Sequence, residues 1–112
     1  MRLRVRLGRI VPPAAAASLS LLAAPAAEAQ MKVDQGHEIA RTWCSGCHVV
    51  ESGGASGSDV GPPFPVVAQD SSLTPDRLRA WLADPHPPMP NLSLSQDEIE
   101  ALVAYIGSLR SQ

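Results

Sequence analysis

Aromatic residues, cysteines and positive charges are all scarce in this chain, and each shortage excludes something. There are two cysteines, Cys44 and Cys47, and three histidines, His37, His48 and His86, none of which form an H-x-x-x-H pair. A structural zinc site needs four ligands, usually two pairs, so that reading lacks half its donors. A dithiol redox site of the thioredoxin kind belongs at a helix start in a strand–helix pattern, and no strand pattern precedes Cys44. A disulfide across Cys-x-x-Cys closes almost no loop and adds little stability. Beyond residue 29 only Lys32, Arg41, Arg77, Arg79 and Arg110 are basic, against ten acids, a formal net charge of −5. That balance excludes a basic nucleic-acid footprint and suits a partner with a basic docking patch, or merely a soluble surface. No apolar run reaches the roughly 20 residues that span a bilayer, so stable membrane insertion is not expected.

What the first 29 residues do contain is an export signal. Arg2, Arg4, Arg6 and Arg9 form a positive n-region, Ala14 to Ala24 a small apolar h-region, and Ala27-Glu28-Ala29 an A-x-A cleavage site before Gln30. This is the layout of a cleavable secretory peptide, with an uncleaved anchor as the alternative. The expected division is residues 1–29 as signal peptide and 30–112 as one domain in the periplasm. A domain of 83 residues buries only about 60% of its unfolded surface and usually needs a staple.

Cys44-Ser45-Gly46-Cys47-His48 supplies a candidate staple. C-x-x-C-H is the run by which haem is attached covalently: two thiols form thioethers to the vinyl groups, and the adjacent imidazole can ligate the iron. Export agrees with this reading, because haem is attached outside the cytoplasm in bacteria. The shortage of aromatics (Trp43, Phe64, Trp81, Tyr105) suits a core filled largely by a porphyrin.

Periodicity predicts three helices and no sheet. Val33 to Cys44 carries Gly36, Ile39, Ala40, Trp43 and Cys44 on one stripe, with Asp34 as N-cap. Small residues at Gly36 and Ala40 imply a close helix crossing. Glu51 to Pro63 is glycine- and serine-rich loop. Leu73 to Asp84 has Thr74 as N-cap, Pro75 at the first helical position, a Leu73–Leu78 staple, and a stop before Pro85. The last helix opens on a Ser95/Glu98 capping box with a Leu94–Ile99 staple, and Ile99, Leu102, Val103, Ile106 and Leu109 form its apolar face, with Tyr105 at the edge. Arg110 falls in the last turn, where a positive charge is favoured.

A haem held by one histidine leaves one axial position. Met89 sits in Pro87-Pro88-Met89-Pro90, where prolines stiffen the backbone, and a thioether is a soft ligand that raises the potential. The competing reading is a packing methionine. Met31 lies near the expected mature N-terminus; His37 shares a helix with the attachment run; His86 is expected to be a solvated loop residue. Trp43 and Trp81 read as core packing against the haem edge or neighbouring helices, or as indole donors to a haem propionate.

Together these residues resemble the class I c-type cytochromes, over essentially the whole span 30–112. The attachment run after an N-terminal helix, Gly61-Pro62, Met89 before the last helix, and Gly36 with Tyr105 at the helix crossing all match that family. The resemblance implies an all-α fold of three main helices around one covalently attached haem c. It also implies that the Pro62 carbonyl orients His48, which adds Pro62 to Cys44, Cys47, His48 and Met89 as site residues. Where that family often has an aromatic, this chain has Ala40. The implied function is a periplasmic electron carrier with redox partner proteins and no catalysis of its own, as a monomer or a subunit. The alternatives are the cytochrome subunit of a periplasmic oxidoreductase and a gas-binding haem module.

Overall fold

The computed structural model describes residues 23–54 and 60–112. Among them no strand occurs, and four α-helices succeed one another: α1 (Ala23–Ile39), α2 (Phe64–Gln69), α3 (Pro75–Ala83) and α4 (Gln96–Ser108). The three expected helices are α1, α3 and α4. A π turn, Ala40–Cys44, extends α1, and a 3₁₀ turn, Leu109–Ser111, comes after α4.

α1 starts ten residues earlier than the stripe predicts. Ala23–Gln30 is mostly alanine, the best helix former. Asp34 is therefore mid-helix rather than the N-cap, and its carboxylate accepts a bond from Gln30 Nε2 at 2.8 Å. Residues 24–31 are exposed along their length, so this extension packs on nothing. The expected n-region and most of the h-region lie outside the described residues.

At the other end, the π turn hands the chain from helix to loop, with Ser45 N–H donating to Ala40 O at 3.1 Å. The extra residue in that turn rotates the next side chains relative to a 3.6-residue repeat. Ala40 and Cys44 stay buried, while Trp43, which the stripe places beside them, is 62% exposed. Single π turns of this kind recur at functional sites.

α1 crosses α4 at Gly36. A Cβ there would overlap the Ala101 carbonyl and stand 2.7 Å from Tyr105 Cβ, so only glycine permits the approach. Ala40 is fully buried beside it, and α4 contributes Ile99, Ala101, Leu102, Val103, Tyr105 and Ile106 to the core. Tyr105 is inside the core rather than at its edge. Its hydroxyl donates to Val50 O at 2.7 Å, which satisfies the one polar atom this ring carries inward. His37 stacks on the same ring at 4.9 Å and bonds Glu51 at 2.8 Å.

α4 begins as its capping box requires: Glu98 N–H donates to Ser95 Oγ at 3.3 Å and Ser95 N–H to Glu98 Oε2 at 2.8 Å. α3 begins on Thr74, whose Oγ1 accepts from Arg77 N–H at 3.3 Å. Arg79 joins the two helices, donating from Nε and Nη2 to both oxygens of Glu100 at 2.6 and 3.0 Å. α2 is an addition to the predicted set. It is a six-residue helix that buries Phe64 and Ala68 one turn apart. Arg110, read from sequence as a helix-end charge, reaches out of its own helix to Ala68 O at 2.6 Å and Leu73 O at 3.4 Å, tying the α2–α3 connection down.

Candidate functional site

The site is built where the π turn releases the chain. Cys47 and His48 N–H groups both return to Cys44 O, at 3.1 and 2.9 Å, so the five residues from Cys44 to His48 form one tight turn. Two further backbone bonds, Gly61 N–H to Cys47 O at 2.9 Å and Phe64 N–H to Val49 O at 2.8 Å, bring Gly61-Pro62-Pro63 against it. This places the Pro62 carbonyl 2.7 Å from His48 Nδ1. A proton on Nδ1 fixes the tautomer and leaves Nε2 as the nitrogen with a free lone pair. Gly61 is the residue whose importance sequence reading missed. A Cβ at that position would drive into the imidazole, lying 2.6 Å from Nδ1. Within a Gly-Pro pair it reads as turn chemistry; the ring it makes room for arrives from 13 positions away.

The two thiols differ. Cys44 is buried and Cys47 exposed, and neither is in a disulfide. Burial pushes the Cys44 thiol up to about 11, so at neutral pH it is held as the neutral thiol.

Cys44, Cys47, His48, Pro62 and Met89 all border one cleft of about 1090 Å³, part of it open to solvent. Leu78, Leu82 and Trp81 of α3 form one apolar wall, and Leu73 and Val67 extend it. Pro88, Pro90 and Leu92 frame Met89. Trp43 and Trp81, 62% and 47% exposed, border the cleft rather than being buried among neighbouring helices. His86 is also more than a solvated loop residue. Although exposed, it borders the cleft with its ring 4.7 Å from that of Trp81. His37 stays outside the cleft, on Tyr105 and Glu51.

The arrangement fits a flat, apolar, covalently held cofactor. Two thiols and an imidazole are gathered at its border, large apolar side chains face unfilled space, and no group of three or more metal-ligating residues exists among the described residues to compete. The profile of the family described as cytochrome c oxidase, cbb3-type, subunit III matches residues 31–106. The chain thus belongs to the cytochrome c family, as a class I c-type cytochrome, and its work is electron transfer through covalently bound haem c. Among characterised relatives, cytochrome c-552 of Bradyrhizobium diazoefficiens is 40% identical over 94 residues, covering 82% of this chain and 90% of that protein. Cytochrome c oxidase subunit 2 of Alkalihalophilus pseudofirmus is 32% identical over 92 residues, 69% of this chain but only 25% of that much longer protein. No solved structure gives a significant match. Membership of this family implies redox partner proteins, and no helix among the described residues is long and apolar enough to cross a membrane.

Proposed function

We propose that this chain is an exported, freely diffusing electron carrier with His48 and Met89 as the axial ligands of a single haem c. When bound, the haem supplies a one-electron Fe(III)/Fe(II) couple. The observation that carries the reading is the shared cleft: both thiols, the imidazole and the only thioether on its border meet there. Cys44 and Cys47 hold the cofactor through thioethers. His48 ligates through Nε2, because Nδ1 donates to Pro62 O; that bond orients the ring and raises its basicity. Met89 is braced by prolines on both sides and by its own N–H, which donates to His86 O at 2.9 Å. The apolar α3 wall would lower the polarity on one side of a bound haem, which would favour the reduced, less charged iron. Apart from these ligands, the two indoles and the His86 imidazole, the cleft border is apolar, which supports a carrier.

Periplasmic residence is inferred from the export signal ending at Ala29. The exposed stretch 24–31 supports it, since a cut after Ala29 falls where the described side chains are all exposed. The family description and the oxidase relative favour a second reading, in which this domain delivers electrons to, or belongs to, a cytochrome c oxidase. Stoichiometric recovery of an oxidase with the native protein from detergent-solubilised membranes would favour that reading over the free carrier.

The axial assignment is tested in Met89→Ala holoprotein. The weak long-wavelength band of an iron–sulfur(Met) bond should vanish from the oxidised spectrum. The midpoint potential should fall by roughly 0.1 V or more, within the ~0.8 V range that axial ligation spans. An unchanged spectrum and potential would remove Met89 from the site.

A further inference from the structure

Of all the side chains bordering the cleft, one nitrogen donor has no part in the assignment above. Cys44 and Cys47 are committed to thioethers, His48 to the first axial position and Met89 to the second. Trp43 and Trp81 offer only an N–H, which cannot ligate. That leaves the imidazole of His86, which borders the same cleft. Its position relative to Met89 is set by backbone geometry. Met89 N–H donates to His86 O at 2.9 Å, closing a four-residue turn over His86-Pro87-Pro88-Met89. Residues at the two ends of such a turn have Cα atoms within about 7 Å of each other. The two residues therefore share one short, proline-stiffened segment, and both border the cleft. His86 is parked against the Trp81 ring at 4.7 Å, 57° from parallel, on the exposed rim. Nothing buried holds it there, so a side-chain rotation suffices to free it.

We propose that His86 is a reserve axial ligand: when the Met89 thioether leaves the iron, the His86 imidazole takes its place. The exchange breaks one iron–sulfur bond and forms one iron–nitrogen bond, with no electron transferred. Its consequence is a second, low-potential form of the carrier, because imidazole stabilises oxidised iron relative to a thioether. It also denies the vacated position to water and small exogenous ligands, and so keeps the chain from behaving as a gas-binding module when the methionine is displaced. Trp81 acts as the resting perch that keeps the imidazole off the iron while Met89 is bound.

This inference rests on Met89 being the resting ligand, and one variant set separates the two. Oxidised holoproteins of Met89→Ala, His86→Ala and Met89→Ala/His86→Ala are compared by optical and electron-paramagnetic spectra. Expected is a Met89→Ala protein that stays low-spin without the sulfur band, a double variant that turns high-spin, and a His86→Ala protein with the parent spectrum. Added imidazole should bind the double variant at least about tenfold more tightly than Met89→Ala, since in the latter it has to displace an intramolecular competitor at millimolar or higher effective concentration. A Met89→Ala protein that is already high-spin, or that matches the double variant, overturns the role of His86 and leaves the Met89 assignment standing. A Met89→Ala protein identical to the parent overturns both. If Met89→Ala does not accumulate with haem, Met89→Leu, which keeps the apolar volume, carries the same comparison.

Discussion

The two sides of α4 have opposite packing. On the side facing α1, Gly36 and Ala40 let backbones meet, and no Cβ could be added at Gly36 without overlap. On the cleft, which Ile106 of α4 also borders, Trp43, Trp81 and Val60 present large exposed apolar surface. The first face is complete as protein. The second is shaped for an apolar plate that the polypeptide does not itself supply, and the family's haem c is that plate. A domain of this size thus divides its core in two, one half closed by glycine and alanine and the other by a cofactor.

The largest expected effect strikes the cofactor side. Cys44→Ala/Cys47→Ala cannot hold haem covalently, and with half of its core unfilled the chain should lose cooperative thermal unfolding altogether. A calorimetric transition with the parent's midpoint would show that the helix crossing stands alone. The crossing is attacked directly by Gly36→Ala. Alanine gains about 1 kcal/mol of helix propensity, but the overlap with Ala101 and Tyr105 has to be relieved by separating α1 from α4, and overpacking of this kind costs about 1–3 kcal/mol. A net loss in denaturant unfolding of the holoprotein is expected; a gain would mean the helices part easily.

A smaller effect is expected where the two halves are joined. Arg110→Met removes the donor to Ala68 O and Leu73 O while keeping the aliphatic stem. Leaving these carbonyls without that partner should lower stability by about 1–2 kcal/mol. The optical spectrum of bound haem should be unaltered, because the ligands are elsewhere. The smallest effect is acid sensitivity of the α3–α4 contact. The Arg79 side chain holds Glu100 below the ordinary value of 4.5, and the Ser95 backbone and side chain do the same for Glu98. A carboxylate with a depressed folded-state value contributes stability above its unfolded value and loses it as pH falls through the folded one. The thermal midpoint should therefore decline below about pH 4.5, and Glu100→Gln should flatten that decline. Both groups lie at the surface, so a steep loss beginning near neutral pH would implicate a different group.

Local chemistry makes much of this legible. The Ser95/Glu98 box, the Thr74 cap with Pro75, and a close helix crossing at Gly36 are read from residues within a turn of one another or from a small residue on an apolar stripe, with Tyr105 as the partner at the crossing implied by the family resemblance, and each is present in the fold. The N-terminus of α1 departs from its predicted place because Asp34 is a good cap only where the preceding residues are not themselves helix formers, and Ala23–Gln30 are. Trp43 leaves its predicted stripe because a 3.6-residue repeat cannot foresee a π turn. α2 escapes prediction because a six-residue helix entered through Pro63 shows no periodicity long enough to count.

By itself the sequence determined the chemistry: a C-x-x-C-H run that names its cofactor, a proline-braced methionine, helices with their caps, and a domain too short and too poor in aromatics to close its core without a staple. Those are properties of residue type and short spacing, and they survive without knowing where anything lies in space. Only the tertiary structure decided which groups meet. It put Pro62 O on His48 Nδ1 at 2.7 Å, made Gly61 the seat of the imidazole, turned Trp43 and Trp81 outward to the cleft, and set His86 beside Met89 on its border. Each of these depends on the loop from Val49 to Pro63 folding back, on one extra residue in a helical turn, or on the closing of a four-residue turn. Such events leave no periodic trace in the chain.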